Sequence, residues 1–535
     1  MKHIILPFLA ILFTSMAYGQ NSFKAIIKDS ESKEILIGAT AVLEGTTNGS
    51  SADENGYKEI NNVPNGTQTI IFSYLGYEET KLTFSFPLAE TEPIEILLTK
   101  SEGEELDDVV ITSTRSKRTI YNIPTRIEAI SGEELEEKGN MKPGDIRMML
   151  NESTGIQTQQ TSATSYNSSI RIQGLDGKYT QILRDGFPLY SGFSGGLSLM
   201  QIAPLDLKQV EVIKGASSTL YGGGAIAGLV NLVSKTPKEE RELSFMLNGT
   251  SALGLDASGF YSQQFNKVGT TIFASYNLGT PYDPADIGLT AIPKFTRYTL
   301  NPRLFVDFDD KTSLNIGFNS IIEDRIGGDI QFIKGDRDAT NVFFEKNNTT
   351  RFSTQLGLDH QLNHKSKLSF KNSISFYNRS IEIPDFKFSG VQLSSFSEAN
   401  YTHRSATSEW IVGLNLWTDK FTQDQLNTSE VVDYKHITTG VFLQNTWDAT
   451  EKFVLETGIR GDYQNEYGFF ALPRISALLK VNPKLSMRLG GGLGYKTPTV
   501  FTEDAERIQF RNVLPIDVPN TKAEQSIGGN FDINF

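Results

Sequence analysis

Apolar and polar residues alternate along most of this chain, in short runs separated by turn residues. Early examples are Phe23-Lys24-Ala25-Ile26-Ile27 and Thr69-Ile70-Ile71-Phe72-Ser73-Tyr74, with Asn48-Gly49-Ser50, Asp53-Glu54-Asn55-Gly56 and Pro64-Asn65-Gly66 between them. Period-two alternation marks half-buried strands, and Gly/Asn/Asp clusters close the turns. Residues 20–99 therefore read as a small antiparallel β-sandwich. From residue 241 onward the pattern returns at Leu243 to Leu247, Gly269 to Tyr276, Leu314 to Phe318, Leu368 to Tyr377, Val412 to Trp417, Phe453 to Ile459 and Leu485 to Leu493. Short links such as Asp309-Asp310-Lys311, Asn363-His364-Lys365 and Asn482-Pro483-Lys484 alternate with long ones, Gly327 to Asn348 and Gln423 to Glu430. About fourteen strands with this rhythm, and aromatics at their ends (Tyr276, Phe308, Tyr377, Trp417, Trp447, Tyr463), predict an antiparallel transmembrane β-barrel over 241–535.

The first nineteen residues break the pattern. Lys2 and His3 precede an apolar core from Ile4 to Met16, and Ala17-Tyr18-Gly19 supplies small residues where a signal peptidase reads. This is a secretory signal peptide, too short in its core to span a membrane. Composition agrees with an all-β-dominated chain: of 535 residues, 46 are Gly, 34 Phe and 19 Tyr, but only 8 are Met. Past the N-terminus there is no apolar run of the ~20 residues a membrane helix needs, so any crossing is by strands.

Charge and chemistry then remove function classes. With 50 basic and 63 acidic residues the net charge is −13, with no basic excess to suit nucleic acid. The absence of cysteine excludes a disulfide framework, a Cys-based zinc site, a thiol nucleophile and a lipoprotein anchor. None of the five histidines (His3, His360, His364, His403, His436) opens an H-x-x-E zinc motif. No nucleophile–base or metal-ligand spacing appears, so no enzyme, cofactor or metal site is expected. Gly222-Gly223-Gly224 could suggest a nucleotide loop. The downstream Leu229-Val230-Asn231-Leu232-Val233 is β-prone, however, where a dinucleotide fingerprint needs a helix, and no Gly-Lys-Ser/Thr follows.

Residues 100–118 begin with an acidic stretch, Glu102 to Asp108, whose composition is that of a solvated linker. Val109-Val110-Ile111-Thr112 follows. An exposed β-prone tetrapeptide invites aggregation, and makes sense if a partner's sheet captures it by strand addition. The alternative is the first strand of the next domain.

Two ordered sets of motifs resemble known families. Gly38-Ala39-Thr40, Gly45-Thr46, Asp53 to Gly56-Tyr57, Val63-Pro64-Asn65-Gly66 and Leu75-Gly76-Tyr77 resemble the carboxypeptidase-regulatory-like domain, a module without catalysis of its own. Arg171-Ile172-Gln173-Gly174-Leu175-Asp176-Gly177, Arg184-Asp185-Gly186-Phe187-Pro188-Leu189-Tyr190, Val210-Glu211-Val212-Ile213-Lys214-Gly215 and Tyr221-Gly222-Gly223-Gly224-Ala225-Ile226-Ala227-Gly228, then Val230-Asn231-Leu232, closely resemble the plug domain of TonB-dependent outer-membrane receptors. That resemblance implies a mixed α/β plug over 119–240. The peptide before it matches the TonB box in character: Asp107, Asp108, Val109, Val110, Ile111 and Thr112. Asp185-Gly186 between apolar runs also reads as a type I′ hairpin turn. Arg171 and Arg184 would lie beside a polar barrel interior, where in the family such charges are thought to latch plug to wall.

What the resemblance implies is energised import. The TonB–ExbB–ExbD complex would pull on the captured box from the periplasmic side of the outer-membrane lipid, and the plug would rearrange to pass a ligand. Ligand contact is expected in Gln157 to Ser168 and Tyr190 to Met200, at Gln159, Tyr166, Tyr190, Phe193 and Leu199. The plug has no histidine and the barrel's are scattered, which favours a ferric siderophore over haem; cobalamin is the other alternative. A fused regulatory-like domain is typical of the Bacteroidetes versions. A passive porin or adhesin would lack box and plug motifs, and a receptor signalling to an anti-sigma factor would carry a helix-bearing N-terminal domain.

Plugged transporters use ~22 strands. Tyr495-Lys496-Thr497-Pro498-Thr499-Val500-Phe501 and Thr521-Lys522-Ala523-Glu524-Gln525-Ser526 resemble a segment that lies well before the end of such barrels. The barrel is therefore expected to be incomplete, although Phe535 ends it on the aromatic common in this class.

Overall fold

The structure is a computed structural model that describes residues 21–535 except 31, 47, 54, 75–76, 89–91, 100–108, 117, 163–166, 191, 196, 337–341, 425–429 and 483–484. The expected signal peptide, Asp107, Asp108 and Tyr166 lie outside the described residues. Two compact units divide the chain, Met1–Glu105 and Leu106–Phe535.

In the first unit, alternating residues fold into two sheets around one core. Strand Asn21–Asp29 buries Phe23, Ala25 and Ile27 against Ile70 and Phe72 of strand Gly66–Ser73. One sheet runs Tyr57–Val63, Asn21–Asp29, Ile94–Leu98, and the other Gly49–Ser51, Thr40–Leu43, Gly66–Ser73, Thr80–Phe86. The purely antiparallel expectation fails at one place: Ile94–Leu98 lies parallel to Asn21–Asp29. A parallel pair needs a crossover rather than a hairpin, and the chain makes it by way of the second sheet. Lys58 stands on an inward position of its strand, opposite Ala25, and is 1% exposed; its Nζ has no hydrogen-bond partner.

The second unit begins with the inner domain. Its five strands are ordered Phe187–Tyr190, Thr180–Arg184, Gly228–Ser234, Leu207–Lys214, Ile127–Ser131, with Thr180–Arg184 parallel to Gly228–Ser234. Gly228–Ser234 is buried along its whole length, which is why it reads as a continuous apolar run. Even-numbered residues such as Ile182, Val212 and Val230 face the helices Gly132–Met141 and Arg147–Asn151 and the ribbon Ile156–Gln160/Ser168–Ile172. Odd-numbered ones such as Leu183, Ile213 and Leu229 face Val109, Ile111 and two wall residues, Ile411 and Phe442.

The wall is a fourteen-stranded antiparallel sheet in sequence order, with Glu242–Gly249 and Glu524–Asn534 at its edges. Strand Ser408–Gln423 shows the logic: Trp410, Val412, Leu414 and Leu416 point outward and exposed, while Glu409, Ile411 and Asn415 point inward and buried. An apolar outer face and a polar inner face are what a lipid-facing barrel strand needs. Links on one rim are short, 310–311, 364–365, 405–407 and 449–452; on the other they are mostly long, 280–293, 329–343, 424–433 and 497–523. The expected link Gly327 to Asn348 is shorter than its sequence suggested, because strand Phe344–Asn363 starts within it. Two links on the long rim, 384–385 and 465–467, are tight turns.

Candidate functional site

The Asp185-Gly186 turn has φ of 53° and 76°, both positive, as a type I′ turn requires. It turns the chain at the short-link end of the inner sheet, where Arg303 of the wall lies 3.1 Å from the Asp185 carboxylate and the Lys371 ammonium donates to its carbonyl oxygen. Burial opposes ionisation of Asp185, yet Arg303, Arg184 and the Ser234 donors hold its carboxyl below the usual range. Arg184, expected to latch plug to wall, has the partners Asp206 and Ser234 in the inner domain, toward which strand alternation turns it.

Glu211 is fully buried and accepts five hydrogen bonds. Thr112 N (2.7 Å), Thr112 Oγ1 (2.9 Å) and Gln209 Nε2 (2.6 Å) reach one oxygen; Ser113 N (2.8 Å) and Asn231 Nδ2 (3.1 Å) reach the other. Asn231 Oδ1 in turn accepts from Gly186 N. Lys214 is held by Glu128 and the Thr154 carbonyl, and Tyr221 donates to the Ser113 carbonyl. Burial pushes the Tyr221 hydroxyl well above its usual pKa.

The tetrapeptide 109–112 is therefore not an exposed tether in this state. Val109 and Ile111 are buried, and Ile111 N and Val109 O bond to Arg118 O and Ile120 N. On the opposite edge, Val110 O accepts from Gln209 Nε2 (3.1 Å) and Thr112 N donates to Glu211. Two side chains thus stand where a neighbouring strand would pair. Val110 is 44% exposed, and among the described residues its amide has no partner. Arg118 then ties the segment to the short-link rim through two bonds to Asp448, 2.7 and 2.8 Å.

At the long-link end, inner domain and wall enclose a cavity of about 600 Å³. Gly222, Gly223 and Gly224 form part of it. A Cβ on Gly223 would stand 2.1 Å from the Tyr495 ring, so only glycine lets that ring settle there. Gly228 is equally constrained, with φ 141° and the Ile213 carbonyl oxygen 2.0 Å from an added Cβ. Gly174 and Gly215 sit at turns after strands Ser168–Ile172 and Leu207–Lys214. The segment 497–512 folds inward over this end. Its Glu503 accepts from Ser169 Oγ (2.6 Å), Arg171 Nη2 (2.7 Å) and Gly177 N (3.3 Å). Burial opposes Glu503 ionisation, but these donors keep its carboxyl below the usual range. Arg171 thus bonds to the link that joins the last two wall strands.

The expected ligand contacts fare less well. Leu199 is 0% exposed in the inner core, and Phe193 is packed among Tyr377, Phe388, Phe421, Phe501 and Phe510. Both are packing residues, because apolar side chains in these polar stretches bury themselves. Gln159 is half-buried on the ribbon and is not part of the cavity wall; of Tyr190 only the backbone, in strand Phe187–Tyr190, is described. From the two expected segments, Thr161, Gly192 and Gly195 do reach the cavity. Sequence reasoning missed its other walls, among them Trp417, Tyr434, His436 and Lys496. Of the rest, Arg171, Asp176, Gly177, Tyr221 to Gly224 and the run Tyr495 to Phe501 stand out in the sequence as family motifs, with no residue among them marked for ligand contact.

Comparison with known families agrees with this geometry. The TonB-dependent receptor plug domain matches residues 119–229, the CarboxypepD_reg-like domain 26–111, and the TonB-dependent receptor-like β-barrel 254–531, more than half the chain. The chain belongs to the TonB-dependent receptor family. It is an outer-membrane receptor with a plug and an N-terminal regulatory-like domain. Its similarity to the iron-regulated outer membrane virulence protein of Vibrio cholerae is 22% identity over 460 residues, 80% of this chain and 64% of that protein. The chain thus spans under two thirds of that relative's length. The vitamin B12 transporter of Vibrio vulnificus is 30% identical over 151 residues, 28% of this chain and 24% of that protein. Among solved structures, the siderophore receptor PirA of Acinetobacter baumannii superposes with TM-score 0.59 at 17% identity, covering 76% of this chain and 68% of its own.

Proposed function

We propose that this receptor imports a ferric siderophore across the outer membrane, energised by the TonB–ExbB–ExbD complex. The long-link rim faces the exterior and the short-link rim the periplasm. The ligand enters the apical cavity between plug and wall. TonB captures 109–112 by strand addition, displacing Gln209 and Glu211, and the pull is transmitted to the plug. No covalent step is involved. The observation that carries this reading is that one plug sheet bears the cavity at one end and a capped strand edge at the other. Relatives named for iron and for siderophores support the ligand class.

Haem is a second reading, favoured by His436, whose ring stacks on Tyr434 at the cavity wall. The test is uptake by cells carrying the gene, offered radiolabelled ferric siderophores, haem and cobalamin, with and without a protonophore. The proposal expects siderophore iron to enter only in energised cells. Entry of haem or cobalamin alone would overturn the ligand assignment, and entry unaffected by the protonophore would overturn the energised mechanism.

A further inference from the structure

Among the described residues, every cation of the cavity wall but one is held by a carboxylate. Arg171 meets Glu503 and Asp176 at 2.7 and 2.9 Å, Lys178 meets Glu524 at 2.8 Å, Arg460 meets Asp462 at 2.6 Å, and Arg507 meets Asp504 at 3.3 Å. Lys496 forms no hydrogen bond and no ion pair among the described residues. It is the last residue of strand Leu485–Lys496, paired in register with Glu524, and its Nζ would lie 4.0 Å from a Cβ on Gly224. The two carboxylates whose field reaches it are engaged elsewhere. Asp419 accepts from Gln392 Nε2 and Ser394 Oγ at 2.8 Å each and from Tyr434 OH at 3.0 Å. Glu524 takes Lys178 and Tyr179.

An ammonium drawn into a cavity without a counter-charge is unfavourable until an anion joins it. A cavity of this volume suits a compact chelate rather than a polymer. We propose that Lys496 is the residue that receives the ligand's negative charge, so that the receptor selects anionic iron chelates over neutral ones. This rests on the import reading. The chelate's anionic oxygens take the open face of Lys496, and its apolar parts lie beside the cavity-lining Trp417 and Tyr434.

The test measures dissociation constants of the extracted full chain for two ferric complexes, a tris-catecholate of charge −3 and a neutral tris-hydroxamate. Wild type, Lys496→Gln and Lys496→Arg are compared, with thermal melting as the check on folding. The expected result is preference for the tris-catecholate, a loss of tenfold or more in Lys496→Gln, and retention within about threefold in Lys496→Arg, since a guanidinium keeps the charge. Binding of the tris-catecholate that ignores Lys496→Gln, or equal weakening of both complexes, overturns this inference alone. Binding of neither complex by the wild type overturns the ferric-chelate reading with it.

Discussion

Thr112 places its amide and its hydroxyl on one carboxylate oxygen of Glu211, at 2.7 and 2.9 Å, across 99 residues of chain. Ser113 N takes the other oxygen. The carboxylate is buried, and among the described residues its hydrogen-bond partners are neutral donors, so each donor removed leaves charge unsolvated. Extraction of the segment must break these bonds before the plug can follow.

Glu211→Gln keeps the size of the side chain but turns an NH2 group toward donors that need an acceptor. The loss of one or two charge-assisted bonds, about 1.5–3 kcal/mol each, should raise local opening at least tenfold. Hydrogen exchange at residues 111–113 would accelerate by that factor, with strand Gly228–Ser234 unchanged. Unaltered exchange at 111–113 would show that Glu211 does not hold the segment.

Gly223 and Tyr495 form a second coupled pair. Gly223→Ala would force the Tyr495 ring away from its seat and out of its hydrogen bond to Asp462. Melting temperature and ligand affinity should both fall in the single variant. Adding Tyr495→Ala should recover part of the stability, a non-additivity of about 1 kcal/mol or more that contacting residues show in a double-mutant cycle. Additive losses would contradict the packing described.

Lys58 gives the N-terminal domain a pH signature. Burial lowers its pKa from 10.5 to about 8. Between those values the unfolded chain holds the proton and the folded domain does not, so stability rises as pH climbs from 8 to 10.5 and carries the full penalty below 8. Lys58→Met removes that penalty, stabilising the domain by about 3 kcal/mol at pH 7 and flattening its stability across this range. Urea unfolding of residues 20–99 at pH 7 and pH 10 checks both. A destabilised variant, or an unchanged pH slope, would contradict the account.

Much of this architecture is legible because local chemistry dictates it. Wall strands show their lipid face as alternation, and Asp185-Gly186 announces its turn because few other pairs accept two positive φ values. What escaped depends on contacts between distant residues. Nothing in Val109-Val110-Ile111-Thr112 says that the inner sheet has a bare face for Val109 and Ile111 to cover. Arg184 and Asp185 are adjacent charges, and only the turn geometry decides that Asp185 meets the wall while Arg184 turns inward. Phe193 read as a binding aromatic because the rings that bury it come from strands and a link far along the chain. Lys496 was invisible as a site residue because its distinction is the lack of a partner.

Val110→Pro separates strand capture by TonB from ligand binding. The proline removes an amide of the coupling edge that has no partner among the described residues, and so leaves the bonds of Gln209, Glu211 and Arg118 in place. Cells carrying the full gene with this change would be compared with wild type for surface binding and for uptake of the labelled ligand. The account predicts binding within about twofold of wild type and import reduced to background. Import at the wild-type rate would show that residues 109–112 are not the strand through which TonB pulls.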